Sequence, residues 1–161
     1  MQIANFLSKS TGCEIKIGYH VKKGWMEGRI YISFFPLEEG GRNKMITIKL
    51  SPNEAFKLAK MIQHSYLNKT EMENVIFHKF EKDNQNIITV INLTMKEKKN
   101  KELFGIKVNK IIVENNRIVN DQSIIMPLEP TDYLMFADVL QKWYIECCWR
   151  KPVDTNEYDE V

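Results

Sequence analysis

The sequence predicts an α+β protein made of two tandem copies of a curved antiparallel β-sheet followed by one α-helix, a pseudo-dimer within one chain. Three observations predict it. Residues 46–66 and 124–144 align at an offset of 78, with Ile46/Ile124, Leu50/Leu128, Pro52/Pro130, Ala59/Ala137, Gln63/Gln141 and Tyr66/Tyr144 identical. A long internal repeat is the mark of duplication. Each copy reads as a strand running into a proline-initiated helix, and upstream of each the apolar residues alternate with polar ones at the period of half-buried strands. The expected organisation is a first sheet-plus-helix repeat over residues 1–73, a second over 74–153, and a disordered acidic tail over 154–161.

In the first half, Ile15, Ile17, Tyr19 and Val21 alternate with Glu14, Lys16, Gly18 and His20, which predicts a strand over residues 14–21. Residues 22–28 hold two glycines and read as a turn. A second strand follows over 29–37, with Ile30, Ile32 and Phe34 opposite Tyr31, Ser33 and Phe35, and Pro36 at its edge. Residues 44–50 make a third. Ser51, Pro52 and Glu54 then supply an N-cap, a proline at the first helical position and a capping-box carboxylate. Phe56, Leu58, Ala59, Met61, Ile62 and Tyr66 give the following helix its apolar face.

The second half predicts strands over 74–82, 87–96, 103–113 and 118–128, with turns at 83–86 and 114–117 and a basic link over 96–101. The last helix is expected over 130–150, with Tyr133, Leu134, Phe136, Ala137, Leu140, Tyr144 and Ile145 on its apolar face and Trp143, Cys147 and Trp149 packing along it. The second half thus has one strand more than the first.

Composition is that of a soluble globular protein, 43% hydrophobic and 27% charged. No apolar run is long enough to span a membrane, and neither a signal peptide nor a disulfide framework is visible, so the expected location is cytoplasmic. All 23 basic residues but only 17 of the 21 acidic ones precede residue 154, leaving a basic body of net charge +6 and an acidic tail. That pattern occurs in nucleic-acid-binding proteins, where a tail competes for the basic surface or docks protein partners.

Catalytic signals are thin. His20, His64 and His78 have no metal spacing and adjoin no nucleophile, and Gly40-Gly41-Arg42 lacks the ending of a phosphate loop. The expectation is no enzyme, cofactor or metal; a pocket between the copies is where a site would have to assemble. The outward strand faces, by contrast, combine lysines with aromatic rings. The first half offers Lys16, His20, Lys22, Trp25, Arg29, Tyr31, Phe35 and Lys49; the second offers Phe77, Lys79, Lys96, Lys98, Lys99 and Lys107. Lysines neutralise phosphates, and aromatic faces stack unpaired bases at about 1–3 kcal/mol each. The expected function is binding of single-stranded nucleic acid, DNA before RNA, with little sequence preference. The alternative is a protein-interaction or assembly module using the exposed aromatic strand face, and further pairing into a homo-oligomer is compatible with either.

The basic first strand, Lys22-Lys23-Gly24 at the turn, the aromatic strand from Arg29 to Phe35, and the run from Ile46 through Ser51, Pro52 and Glu54 into a helix resemble the single-stranded-DNA-binding domain of the positive cofactor four transcriptional coactivators. The Whirly proteins and the ThermoDBP-type archaeal single-stranded-DNA-binding proteins are broadly similar in layout. The resemblance covers residues 14–63 best and implies a curved sheet with one helix that works as a dimer.

Overall fold

The structure, a computed structural model, describes residues 1–153; the acidic tail expected over 154–161 lies outside the described residues. The chain is mostly antiparallel β-sheet with two helices. Strands β1 (Gln2–Leu7), β2 (Thr11–Lys22), β3 (Trp25–Pro36) and β4 (Ile46–Leu50) pair in chain order, and helix α1 (Pro52–Asn68) follows. Strands β5 (Met72–Lys82), β6 (Gln85–Lys98), β7 (Lys101–Glu114) and β8 (Arg117–Leu128) again pair in chain order and lead into α2 (Pro130–Trp143). A short β9 (Arg150–Pro152) adds a fifth strand to the first sheet.

Sharp turns keep the strands consecutive. Four hairpins close through two residues at positive φ: Lys23-Gly24, Asp83-Asn84, Lys99-Asn100 and Asn115-Asn116. This turn matches the natural twist of paired strands. The basic segment 96–101, expected as a link, is therefore mostly ladder, with Lys98 opposite Lys101. Likewise the turn expected over 22–28 shrinks to Lys23-Gly24, and Trp25 to Gly28 are strand.

Helix α1 starts as its sequence dictates. The Ser51 hydroxyl accepts from the Glu54 backbone N–H at 3.3 Å, and the Glu54 carboxylate accepts from the Ser51 N–H at 3.1 Å. Its buried face is Ala55, Leu58, Ala59, Ile62 and Ser65. Phe56, expected in that face, lies beside it and meets the Tyr144 ring at 5.3 Å. One apolar core draws on both sheets and both helices. Aromatic contacts stitch the halves together: Phe6 of β1 meets Phe136 of α2 at 5.1 Å, and Tyr66 of α1 meets Phe104 of β7 at 5.6 Å.

Two elements depart from expectation. Strand β1 was not legible, because a register shift between Gln2 and Ala4 breaks its alternation. With it, each half has four strands before its helix. The last helix ends at Trp143 instead of Arg150; a short 3₁₀ turn (Ile145–Cys147) and β9 follow. Pairing with the free edge of β3 overrides helical propensity here, and Gly28 permits it. The Gly28 N–H donates to the Trp149 carbonyl at 3.2 Å, and a Cβ at Gly28 would sit 2.5 Å from the Cys147 carbonyl oxygen. Cys147 is buried, as expected of a packing residue, but Trp149 is exposed.

Gly28→Ala should therefore lever the C-terminal strand off β3. The expected cost is about 1–3 kcal/mol in urea unfolding, with faster amide exchange at Met26 and Gly28. Wild-type stability and exchange in this variant would refute the close approach.

Candidate nucleic-acid interface

In β2 and β3 the odd-and-even alternation splits the side chains cleanly. Cys13, Ile15, Ile30, Ile32 and Phe34 go to the core and are fully buried. The register pairs Lys22 with Trp25, His20 with Glu27, Gly18 with Arg29, and Lys16 with Tyr31, and Tyr31 pairs in turn with Lys49 of β4. The first-half residues expected at the site thus share the outer face of one sheet.

Their surroundings differ. The Tyr31 ring lies on Gly18, where an added Cβ would come within 2.8 Å of it, and the hydroxyl donates to the Tyr19 carbonyl at 2.7 Å. Tyr31 also lines an open groove of about 460 Å³ with Thr47, Ile48, Lys49, His78, Phe80 and Thr89, a volume in the range of small-ligand sites. Phe35, expected to be an exposed stacking ring, is buried: it covers Gly12 and carries the Arg42 guanidinium 4.3 Å from its centroid. It has no face left for a base. Trp25 is exposed at one edge and the Arg150 guanidinium lies 4.4 Å over its ring.

Two carboxylates temper the charge. Glu27 pairs with Arg29 at 2.7 Å and with Arg150 at 3.1 Å, and Glu14 pairs with Arg42 at 2.7 Å and with Lys16 at 3.5 Å. The Arg42 hydrogen bond, opposed by burial, holds the Glu14 carboxyl below the usual carboxylate range. Among the described residues Lys22 and Lys49 have no carboxylate within ion-pair distance. Lys49 instead donates to His20 Nδ1 at 2.8 Å. Burial first, and then the Arg29 charge, lower the Lys49 pKa; burial first, and then the Lys49 charge, lower that of His20. The contact thus requires a neutral imidazole, which accepts the ammonium proton.

The second-half residues lie elsewhere. Phe77 and Lys79 of β5 point to the outer side of the second sheet, where both are exposed. Lys96 and Lys107 meet on that side in a separate groove with Thr94, Leu103, Gly105 and Ile125. Lys98 and Lys99 sit at the β6–β7 turn beside Leu103 and Pro130, the start of α2. His78, Phe80 and Thr89 are the site residues that the sequence concealed. They belong to the core-side alternation of the second sheet, but that sheet overruns its core and brings them against β4. His78 donates to Glu54 at the start of α1. Burial opposes the Glu54 carboxylate, yet the His78 and Ser51 N–H groups prevail and hold its pKa below the ordinary value.

No protein-family model matches this chain, and no curated protein matches it. Among the described residues no group of His, Cys, Asp or Glu could hold a metal ion, and no helix is long and apolar enough to cross a membrane.

His20 should titrate by NMR below the ordinary value of 6.5, and Lys49→Met should move its midpoint upward. The fold favours the neutral ring, so the stability this contact contributes is present above pH 6.5 and is lost as pH falls through the folded-state value. A His20 midpoint unmoved by Lys49→Met would show that the two side chains are not in contact in solution.

Proposed function

We propose that this chain binds single-stranded nucleic acid, DNA before RNA, with little sequence preference, and that it is a fused pair of one sheet-plus-helix unit. The observation that carries the binding reading is the gathering of Lys16, His20, Lys22, Arg29, Tyr31 and Lys49 on one outer sheet face, with Lys22 and Lys49 uncompensated by carboxylates. Uncompensated cations attract phosphates, and Tyr31 lines a groove that admits a base. Phe80 is the second ring of that groove. Phe35 has no part in stacking. The resemblance to the positive cofactor four coactivators rests on this same sheet.

Two contacts support the duplication. Gln63 donates to Gln141 at 3.1 Å, and the Gln122 amide donates to the Lys44 carbonyl; in both, the partners stand 78 residues apart, the spacing of the sequence repeat. Residues that touch their own counterparts lie on an axis relating two like units. Both edge strands β1 and β5 also carry a register shift near their start. On this reading the unit boundary falls in the short connection between α1 and β5.

The test is a fluorescence-anisotropy titration with a labelled oligothymidylate at several salt concentrations. Affinity should fall as salt rises. Lys16→Ala and Lys49→Ala should each lower the slope of log affinity against log salt by about 0.7, the value for one single-strand phosphate contact. Tyr31→Leu should cost about 1–3 kcal/mol of binding, against a Tyr31→Phe control that keeps the ring. Absence of binding at low salt, or binding indifferent to salt, would refute the reading.

A further inference from the structure

The outer faces of the two sheets differ in kind. That of the first is charged, whereas the middle strands of the second break the two-residue period. Ile87-Ile88-Thr89-Val90-Ile91 of β6 and Ile111-Ile112-Val113 of β7 are nearly continuous apolar runs. Such runs belong to strands covered on both faces. Ile91 goes to the core, while Ile88 and Val90, of opposite parity, face outward. The register fixes the outward rows. Lys79, Ile88, Ile111 and Asp121 stand in one line across β5 to β8, and Phe77, Val90, Asn109 and Ser123 in the next. Phe77 is exposed, and Ile88 and Ile111 are half-buried. The face is thus apolar at its centre, with a cation at one edge and an anion at the other. Neither Lys79 nor Asp121 has an ion-pair partner among the described residues.

We propose that this face binds the same face of a second copy of the chain. A two-fold axis parallel to the strands, midway between β6 and β7, lays β5 over β8 and β6 over β7 of the other copy. Lys79 then stands over Asp121 and Ile88 over Ile111, each contact made twice. The adjoining rows bring no like charges together, since Phe77 meets Ser123, Val90 meets Asn109 and Asn92 meets Lys107. An axis across the strands would instead set Lys79 against Lys79 and Asp121 against Asp121, so the charges select one arrangement. Four strands about 4.8 Å apart, with seven residues of each, present about 450 Å² per copy. The pair would bury about 900 Å², the size of a weak, exchanging contact. The outer face of the first sheet takes no part, so the proposal stands apart from the nucleic-acid reading. It gives Phe77 and Lys79, expected among the nucleic-acid contacts, a different role.

The test is sedimentation equilibrium of the full chain from micromolar to near-millimolar protein, with a reductant present so that the exposed Cys148 forms no cross-link. The weight-average mass should climb from one chain towards two. Ile88→Glu should hold it at one chain while keeping the wild-type circular dichroism. Lys79→Asp and Asp121→Lys should each weaken pairing about tenfold, because each sets like charges face to face twice. Both positions are exposed, so folding is not at stake. An equal mixture of these two variants should regain wild-type pairing, since each copy then meets its complement. A mass of one chain at every concentration, pairing indifferent to Ile88→Glu, or a mixture no better than its components would overturn the proposal. So would oligothymidylate moving the amide resonances of Phe77, Lys79 and Ile111 in a chain that stays single, which would assign the face to nucleic acid.

Discussion

One pair of helices serves two sheets, and the rest of the molecule follows from that. A four-stranded sheet with a single apolar face needs a cover, and here α1 and α2 pack on each other and supply it to both. α1 touches β3 and β4 of the first sheet and β5 of the second, while α2 lies on β7 and β8. The halves meet in the dry middle through Phe6–Phe136 and Tyr66–Phe104. One polar relay crosses the same region: the buried Tyr133 hydroxyl donates to Ser65, whose own hydroxyl donates to the Thr70 carbonyl. Burial, the largest influence, pushes the Tyr133 phenol up to about 12. A buried hydroxyl that lost this partner would be left unsatisfied, a cost of about 1–3 kcal/mol, so the relay specifies how the helices sit as well as stabilising them.

Committing the inner faces to this core leaves the outer ones accessible. On the first sheet, glycine is what makes the outer face usable by aromatic rings. Tyr31 can lie flat because Gly18 has no Cβ beneath it, and Phe35 can sink onto Gly12 for the same reason. The two rings then part company. Tyr31 lines a groove, whereas Arg42 closes over Phe35. The charges follow a similar logic: Glu14 and Glu27 pair with the arginines nearest them, Glu14 also reaches Lys16, and among the described residues Lys22 and Lys49 have no carboxylate at ion-pair distance.

Much of this was legible in the sequence. Period-two alternation assigned Ile30, Ile32 and Phe34 to the core and Tyr31 to the opposite side, and Ser51-Pro52-Asn53-Glu54 placed the start of α1 because capping is local chemistry. Cross-strand neighbours were not legible, since register depends on where each hairpin turns. The burial of Phe35 needed Gly12 opposite it and Arg42 from the next loop, neither adjacent in sequence. The loss of helix after Trp143 was equally hidden: the chain leaves the helix through a 3₁₀ turn at Ile145–Cys147 and pairs Arg150–Pro152 with the open edge of β3, where Gly28 has no Cβ. The register shift in β1 disguised an edge strand as irregular chain.

The unequal lengths of the two sheets explain why the groove stands where it does. β5 and β6 continue past their last core residues, so Phe80 is exposed and Ile87 only half-buried. A strand pair that outruns its core exposes both faces to water unless something lies against one of them. Here the start of α1 and the edge strand β4 do so, and the His78–Glu54 contact fixes the approach. The overhang thus becomes one wall of a cleft whose other wall is Tyr31 and Lys49. The feature that looks least economical in folding terms, apolar strand residues left beyond the core, is what turns an open sheet face into a two-walled cleft.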